Sequence, residues 1–312
     1  MGEIDSYVPP AVLFNRHLET IYPSLFRKVP FRSPRRERIF TPDDDFLDLD
    51  WYEQGSSQVV IISHGLEGNS QRSYVLGMAR AFFLAGYDVL AWNYRGCSGE
   101  INRQLRFYHS GATDDLHTVV THAASRYGDI HLVGFSLGGN LTLKYLGEHW
   151  AHPRVKRAVA LSVPLNLHTS CLVISRPSNW IYTKRFLLSL SAKVKAKPDL
   201  ARVVDVKKLD TLRTLLEFDD HFTGPLHGFS GAIDYYHRCS SIHALPHIRV
   251  PALLLNAQND PFLSEDCYPR EQFENVITEY PHRGGHVGFA RFDRNGLYWS
   301  EMKAVAFVKQ TE

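Results

Sequence analysis

Ser136, Asp260 and His286 stand far apart in the chain, yet their types and order fit one piece of chemistry. Ser136 is the centre of Gly134-Phe135-Ser136-Leu137-Gly138, a G-x-S-x-G pentapeptide that, at a strand-to-helix turn, holds a serine hydroxyl clear of a sheet. A hydroxyl is a weak nucleophile at neutral pH, so it needs a base within hydrogen-bond reach and an acid to orient that base. Asp260, in "QNDPF", and His286, in "HRGGHVGF", follow in the order nucleophile, acid, base. Such a trio transfers acyl groups through a covalent intermediate, provided two backbone N–H groups face the developing oxyanion. Leu137, directly after the serine, offers one donor; Leu66, in His64-Gly65-Leu66, offers the other, because the glycine permits close approach.

Other residues compete for these roles. Glu265 or Asp266 could replace Asp260, and His282 could replace His286, although Pro281 and Arg283 beside His282 suggest a solvated approach to the loop. His64 reads as structural, and Cys97 as a small loop residue rather than a second nucleophile. Thr113 as N-cap, with Asp114 and Asp115 in the first turn, is explained by a helix N-terminus. A dehalogenase would carry an aspartate where this chain has Ser136.

The pentapeptide alone recurs by chance in roughly one chain in ten of this length, so its surroundings decide. Residues 59–63, "VVIIS", form a short apolar run suited to a buried parallel strand. After the loop "HGLEGNS", Val75, Met78, Ala79, Phe82 and Phe83 recur at helical spacing, with Gly86 as a stop. A strand, "YDVLAWNY", follows, and then a second helix with Leu116, Val119, Val120, Ala123 and Ala124 on one face, closed by Gly128. "IHLVGF" is a strand running into Ser136, and "LGGNLTLKYLGEHW" is the helix behind it. Later strands are "KRAVALSVP", "PALLLNA" and "NVITEY"; earlier, "RRERIFTP" and "FLDLDWYEQG" read as a less hydrophobic antiparallel pair at one edge. Alternating strands and helices predict an α/β fold, a mostly parallel sheet covered on both faces.

The predicted core is residues 37–164 and 236–312, interrupted by a helical cap at 165–235 and preceded by an extension, 1–36, packed outside it. Between Arg176 and Arg213 there are ten lysines and arginines against three aspartates, together with "WIYTKRFLLSL". That segment fits either a lid that admits acyl chains and touches an anionic membrane, or a helix packed on the core with a solvated basic tail.

Composition narrows the field. A 312-residue chain that is 44% hydrophobic can bury a large core, and a net charge of +2 gives no reason to expect nucleic acid. The four cysteines form no C-x-x-C and point to a reducing compartment. Sixteen histidines include no H-E-x-x-H; His243 and His247 are separated by Pro246, so no metal is expected. "MGEIDSYVPP" lacks the pattern of a signal peptide, although "MGEIDS" fits the permissive myristoylation pattern. The most apolar stretch, around residues 75–92, contains Arg80 and Asp88, so no transmembrane segment is expected and the expected location is cytoplasmic.

The segments "FNRHLETIYPSLFR", "HGLEGNSQRSY", "NYRGCSGEINR", "YHSGATDDL", "GFSLGGNLTLKYLGE", "LLEFDDHFTGPLHGFSGAIDYYHRCSS", "NDPF" and "GGHVGF" together resemble the YheT-like branch of the α/β-hydrolase superfamily over nearly the whole chain. The resemblance implies an α/β-hydrolase fold, a triad of Ser136, Asp260 and His286, and ester hydrolysis without a cofactor. It also brings animal relatives that carry a membrane anchor and act on lipids. The expectation is therefore a serine esterase for short- to medium-chain or lipid-like esters. An acyltransferase or thioesterase with the same triad, or a hydrolase-derived binding protein, stands as the alternative.

Overall fold

A computed structural model describes residues 6–148, 151–292 and 295–310. The myristoylation pattern falls largely outside them, as do His149 and Trp150 of the helix expected behind Ser136. Chain order is α1 (Arg16–Phe26), β1 (Arg35–Phe40), β2 (Phe46–Tyr52), β3 (Gln58–Ser63), α2 (Ser73–Leu84), β4 (Asp88–Asn93), α3 (Thr113–Ala124), β5 (Asp129–Phe135), α4 (Leu137–Gly147) and β6 (Val155–Leu161). Then come α5 (Leu167–Ile174), α6 (Trp180–Lys195), α7 (Leu215–Phe218), α8 (Gly224–Leu226), α9 (Ala232–Cys239), β7 (Ala252–Leu255), β8 (Val276–Glu279) and α10 (Trp299–Val308).

The eight strands form one sheet in the order β1-β2-β4-β3-β5-β6-β7-β8. From β4 to β8 all neighbours are parallel. The apolar runs of the parallel strands are buried because helices cover both faces. Val59 and Ile61 point to the layer of Leu116, Val120 and Leu141, while Val60 and Ile62 point to that of Val75, Phe82 and Phe307, the period-2 alternation of a strand.

The antiparallel strands are less apolar for an electrostatic reason. All of β2 is buried although it contains Asp48 and Asp50. The cross-strand register sets these opposite Arg38 and Arg36, each forming a bidentate pair whose shorter contact is 2.7 Å. β2 also pairs with β4, so of this antiparallel pair β1 alone is an edge strand; β8 is the other edge of the sheet.

Two local expectations are corrected. Thr113 is the first helical residue; the N-cap is Ala112, without a side-chain cap, and Asp115 turns inward to buried Arg95 at 2.6 and 2.8 Å. Gly128 does not close α3, which ends at Ala124 with Ser125 as C-cap. Gly86, in contrast, takes φ +97° two residues after α2, a conformation that favours glycine.

Between β6 and β7 the alternation stops, and α5–α9 gather around apolar clusters of their own. α9 runs across the boundary expected at residue 235. On α6, Trp180, Ile181 and Leu188 are exposed, whereas Leu187 and Leu190 pack inward. The basic segment is not wholly solvated: Lys193 reaches Glu67 at 2.7 Å and Lys197 reaches Asn102 at 2.8 Å. No helix among the described residues is long and apolar enough to cross a membrane.

His131, on β5, is buried with neither ring nitrogen bonded to a protein group among the described residues, and burial pulls its pKa down from 6.5 to about 4. Between those values the unfolded chain holds a proton that the folded chain does not, so stability falls as pH falls through this window. His131→Leu removes that loss. Its advantage over the native protein is expected to widen by up to about 3 kcal/mol between pH 7 and pH 4, read from urea melts.

Candidate active site

Ser136 sits between β5 and α4 with φ +53° and ψ −118°, a strained backbone for a residue with a side chain. Small neighbours permit the turn: a Cβ on Gly134 would lie 2.2 Å from Gly138 O, and one on Gly138 would lie 2.4 Å from Ser63 O. The elbow is therefore pressed against the end of β3. α4 begins immediately, and its Asn140, fully buried, binds the carbonyls of Ser110 and Cys239 at 3.0 and 2.8 Å.

The structure brings Ser136, His286 and Asp260 together. His286 Nε2 lies 2.9 Å from Ser136 Oγ, and His286 Nδ1 lies 2.8 Å from Asp260 Oδ2. A carboxylate only accepts, so Nδ1 carries the proton and Nε2 of the neutral ring accepts from the serine hydroxyl. The other oxygen, Asp260 Oδ1, accepts the N–H of Phe262 at 2.8 Å, which fixes the carboxylate plane. The Phe262 ring stands 4.3 Å from that of His286 and shields it.

The competitors lie elsewhere. His282 is exposed and bonds Gln258 Oε1 at 2.9 Å, and Glu265 and Asp266 are exposed on a short turn. His64 is buried, its Nδ1–H donates to Gly65 O at 2.8 Å, and burial lowers its pKa to about 3, so it stays neutral. Burial pushes the Cys97 thiol up to about 11, away from the nucleophilic thiolate. Among the described residues the N–H groups of Leu66 and Leu137 donate to no protein acceptor. No group of histidines, cysteines and carboxylates among those residues could hold a metal.

Several residues around the trio escaped sequence reasoning. Glu19 and Thr20, on α1, face the loop that carries His286: Thr20 Oγ1 accepts His286 N–H at 2.9 Å, and Glu19 Oε2 accepts Gly284 N–H at 2.7 Å. Glu19 also binds Asn259 Nδ2 at 2.9 Å and Arg283 Nε at 2.7 Å. Ser162, with φ +53°, accepts Val287 N–H at 2.8 Å. Glu19 and Thr20 fall in "FNRHLETIYPSLFR" and Asn259 in "NDPF", segments that carry the family resemblance without disclosing what these side chains do.

Glu67 was also missed. It follows Leu66 with φ +52°, and its carboxylate accepts from Tyr108 Oη at 2.6 Å, from Lys193 Nζ at 2.7 Å and from Ser189 Oγ. Ser189 and Lys193 lie one turn apart on α6, so this helix is tied to the loop bearing Leu66.

Ser136, His286, Leu66 and Leu137 line one cavity of about 120 Å³. Its other walls include Leu167, Ile174, Phe186, Leu215 and Phe262, most of them from α5–α7.

A serine, an imidazole and a carboxylate in hydrogen-bonded sequence at an apolar cavity, on a sheet of this order, define a class of protein. The chain belongs to the alpha/beta hydrolase fold family, whose family model matches residues 58–289. Within the family it is YheT-like: it is 34% identical over 299 residues to YheT of Escherichia coli, a protein designated an esterase, spanning 91% of this chain and 86% of that one. It is 29% identical to the monoacylglycerol lipase of Saccharomyces cerevisiae, over 88% of this chain and 63% of the yeast protein. The Pyrococcus furiosus esterase Pf2001 superposes with a TM-score of 0.61 at 16% identity, covering 98% of each chain, a likeness of fold. The bacterial and yeast relatives support ester hydrolysis in general.

Glu19→Ala would leave Arg283, Gly284 N–H and Asn259 without their buried acceptor. It is expected to cost about 3 kcal/mol or more of stability in denaturant melts. Glu100→Ala, at an exposed pair with Arg38, should leave the same melts essentially unchanged.

Proposed function

We propose that this protein is a serine esterase in which Ser136 is the nucleophile, His286 the general base and acid, and Asp260 the group that orients the imidazole. The supporting observation is the unbroken row of hydrogen bonds from Ser136 through His286 to Asp260, opening on an apolar cavity. Ser136 Oγ attacks the ester carbonyl as its proton passes to His286 Nε2. The carbonyl oxygen becomes an oxyanion held by the N–H groups of Leu66 and Leu137. Collapse releases the alcohol, protonated by His286, and leaves Ser136 acylated; water, deprotonated by the same nitrogen, then frees the acid.

In this reading residues 165–235 form a cap that walls the acyl site, and α1 is a brace for the His286 loop. A cavity of about 120 Å³ is of the order of one that accepts benzene. The reading therefore assigns short acyl chains to the closed form, with longer, lipid-like chains requiring α6 to move.

A fluorophosphonate probe is expected to label the native protein and not Ser136→Ala. Asp260→Asn is expected to lower kcat by about 10⁴-fold, since the imidazole would lose its favoured tautomer. In a p-nitrophenyl ester series, butanoate and hexanoate should be cleaved with higher kcat/KM than palmitate. A folded native protein that is neither labelled nor active on any ester would remove the esterase reading in favour of a binding protein.

A further inference from the structure

The cavity beside Ser136 is mostly apolar, and among the polar side chains that line it one is an acid. Asp219 lines it, as does Tyr236, at the end of α7 and on α9 respectively. Tyr236 Oη donates to Asp219 Oδ2 at 2.6 Å, and Thr223 Oγ1 donates to Oδ1 at 2.5 Å. The Cys171 thiol lies 3.1 Å from the same tyrosine oxygen.

Two features set this carboxyl apart from a structural acid. Among the described residues it has no cationic partner within ion-pair distance, unlike Glu19, Glu67 and Asp115, and burial pushes its pKa up to about 6. A carboxylate offers about four acceptor positions, and among the described residues two hydroxyl donors use two of them, on an acid that lines the cavity. Leaving such capacity unused when the cavity is filled is costly unless the ligand supplies a donor in place of water. The backbone is irregular here as well: Asp219 opens a π-helical turn, Asp219–Thr223, inserted between α7 and α8. That turn joins Asp219 to Thr223 while the acid remains on the cavity wall.

We infer that Asp219, held by Tyr236 and Thr223, is a specificity-determining residue that selects esters carrying a hydrogen-bond donor, a hydroxyl or an ammonium group, remote from the scissile carbonyl. The inference rests on the esterase reading of Ser136 and adds a substrate class to it. An apolar chain filling the cavity would desolvate the carboxyl without replacing its water. A chain ending in a hydroxyl supplies a donor to a charged acceptor, an interaction that separates matched from unmatched ligands by about 10- to 100-fold.

The test compares esters that differ only in that donor, with the purified full chain. One arm sets p-nitrophenyl 6-hydroxyhexanoate against p-nitrophenyl hexanoate; the other sets 6-hydroxyhexyl butanoate against hexyl butanoate, to locate the donor on the acyl or the alcohol side. In one arm the native protein should favour the hydroxylated ester by about 10-fold or more in kcat/KM. Asp219→Leu should bring that ratio to about one or below, and Asp219→Asn, closer in shape, should reduce it. Absence of preference in both arms, or a preference undiminished in either folded variant, overturns the inference. The ratio within each protein is the readout, so a loss of overall activity does not imitate the result. If no ester is turned over, the esterase reading fails separately. Melting temperatures with hexane-1,6-diol and hexan-1-ol then decide the role of Asp219: a larger shift with the diol that Asp219→Asn abolishes supports it, and equal shifts overturn it.

Discussion

The left-handed backbone at Ser136 is the constraint on which the rest of the arrangement depends. A non-glycine residue at φ +53° costs on the order of 1–2 kcal/mol, and the cost is met by packing that allows no relaxed alternative. Gly138 lies against Ser63 O and His64 O at the end of β3, and Ser136 N–H is fixed to Leu161 O on β6 at 2.8 Å. The turn is thus clamped between the strands on either side of β5. The same clamp sets the loop after β3 beside the serine, where a Cβ on Gly65 would come within 3.3 Å of Ser136 Cβ. Leu66 and Leu137 are brought near each other because two neighbouring strands end at the same level.

His286 has no such strand to hold it. It lies on a loop with Gly284 at φ +150°, Gly285 at φ +60° and Val287 at φ +57°, and a β-branched residue in that region is a true outlier. Three side chains from distant parts of the chain hold that loop: Thr20, Glu19 and Ser162 accept its N–H groups. Rigid placement of one imidazole therefore draws on α1, on the turn after β6 and on Asn259 beside Asp260, whose Oδ1 accepts Gly285 N–H at 3.0 Å. Supporting polar contacts of this kind keep a ring nitrogen within hydrogen-bond reach of a hydroxyl.

What the sequence disclosed follows the same division. The parallel strands, α2 and the elbow were readable because burial on a sheet or a helix face leaves periodic apolar residues and because the turn needs glycine at fixed offsets. Asp260 and His286 could be picked by chain order, and the structure brings both to Ser136. The supports could not be picked. Glu19 is one acid on a short helix in a segment that reads as an outer extension, and its contacts span 264 and 265 residues of sequence. Thr113 looked like an N-cap because local rules favour it, yet Asp115 is drawn instead to Arg95, which is 1% exposed and also binds Asp43 and Asp45 at 2.9 and 3.0 Å. A buried guanidinium that needs several carboxylates outweighs the preference of one helix end.

The helices between β6 and β7 show how a cavity wall and the loop after β3 become one packed unit. α6 contributes Phe186 to the cavity and Ser189 and Lys193 to Glu67, directly after Leu66. Moving α6 far enough to widen the cavity would strip Glu67 of two of its three side-chain donors, leaving Tyr108 to hold it from the core. The residue's left-handed backbone makes that exchange consequential, because a strained conformation persists only while its surroundings over-determine it. This arrangement, with Glu67 bonded from both sides, therefore fixes the backbone directly after Leu66, in the loop that lies beside the Ser136 turn. A wall of the cavity and the loop after β3 are thus joined through a single carboxylate, in a way that neither the apolar pattern of α6 nor its excess of positive charge could have indicated.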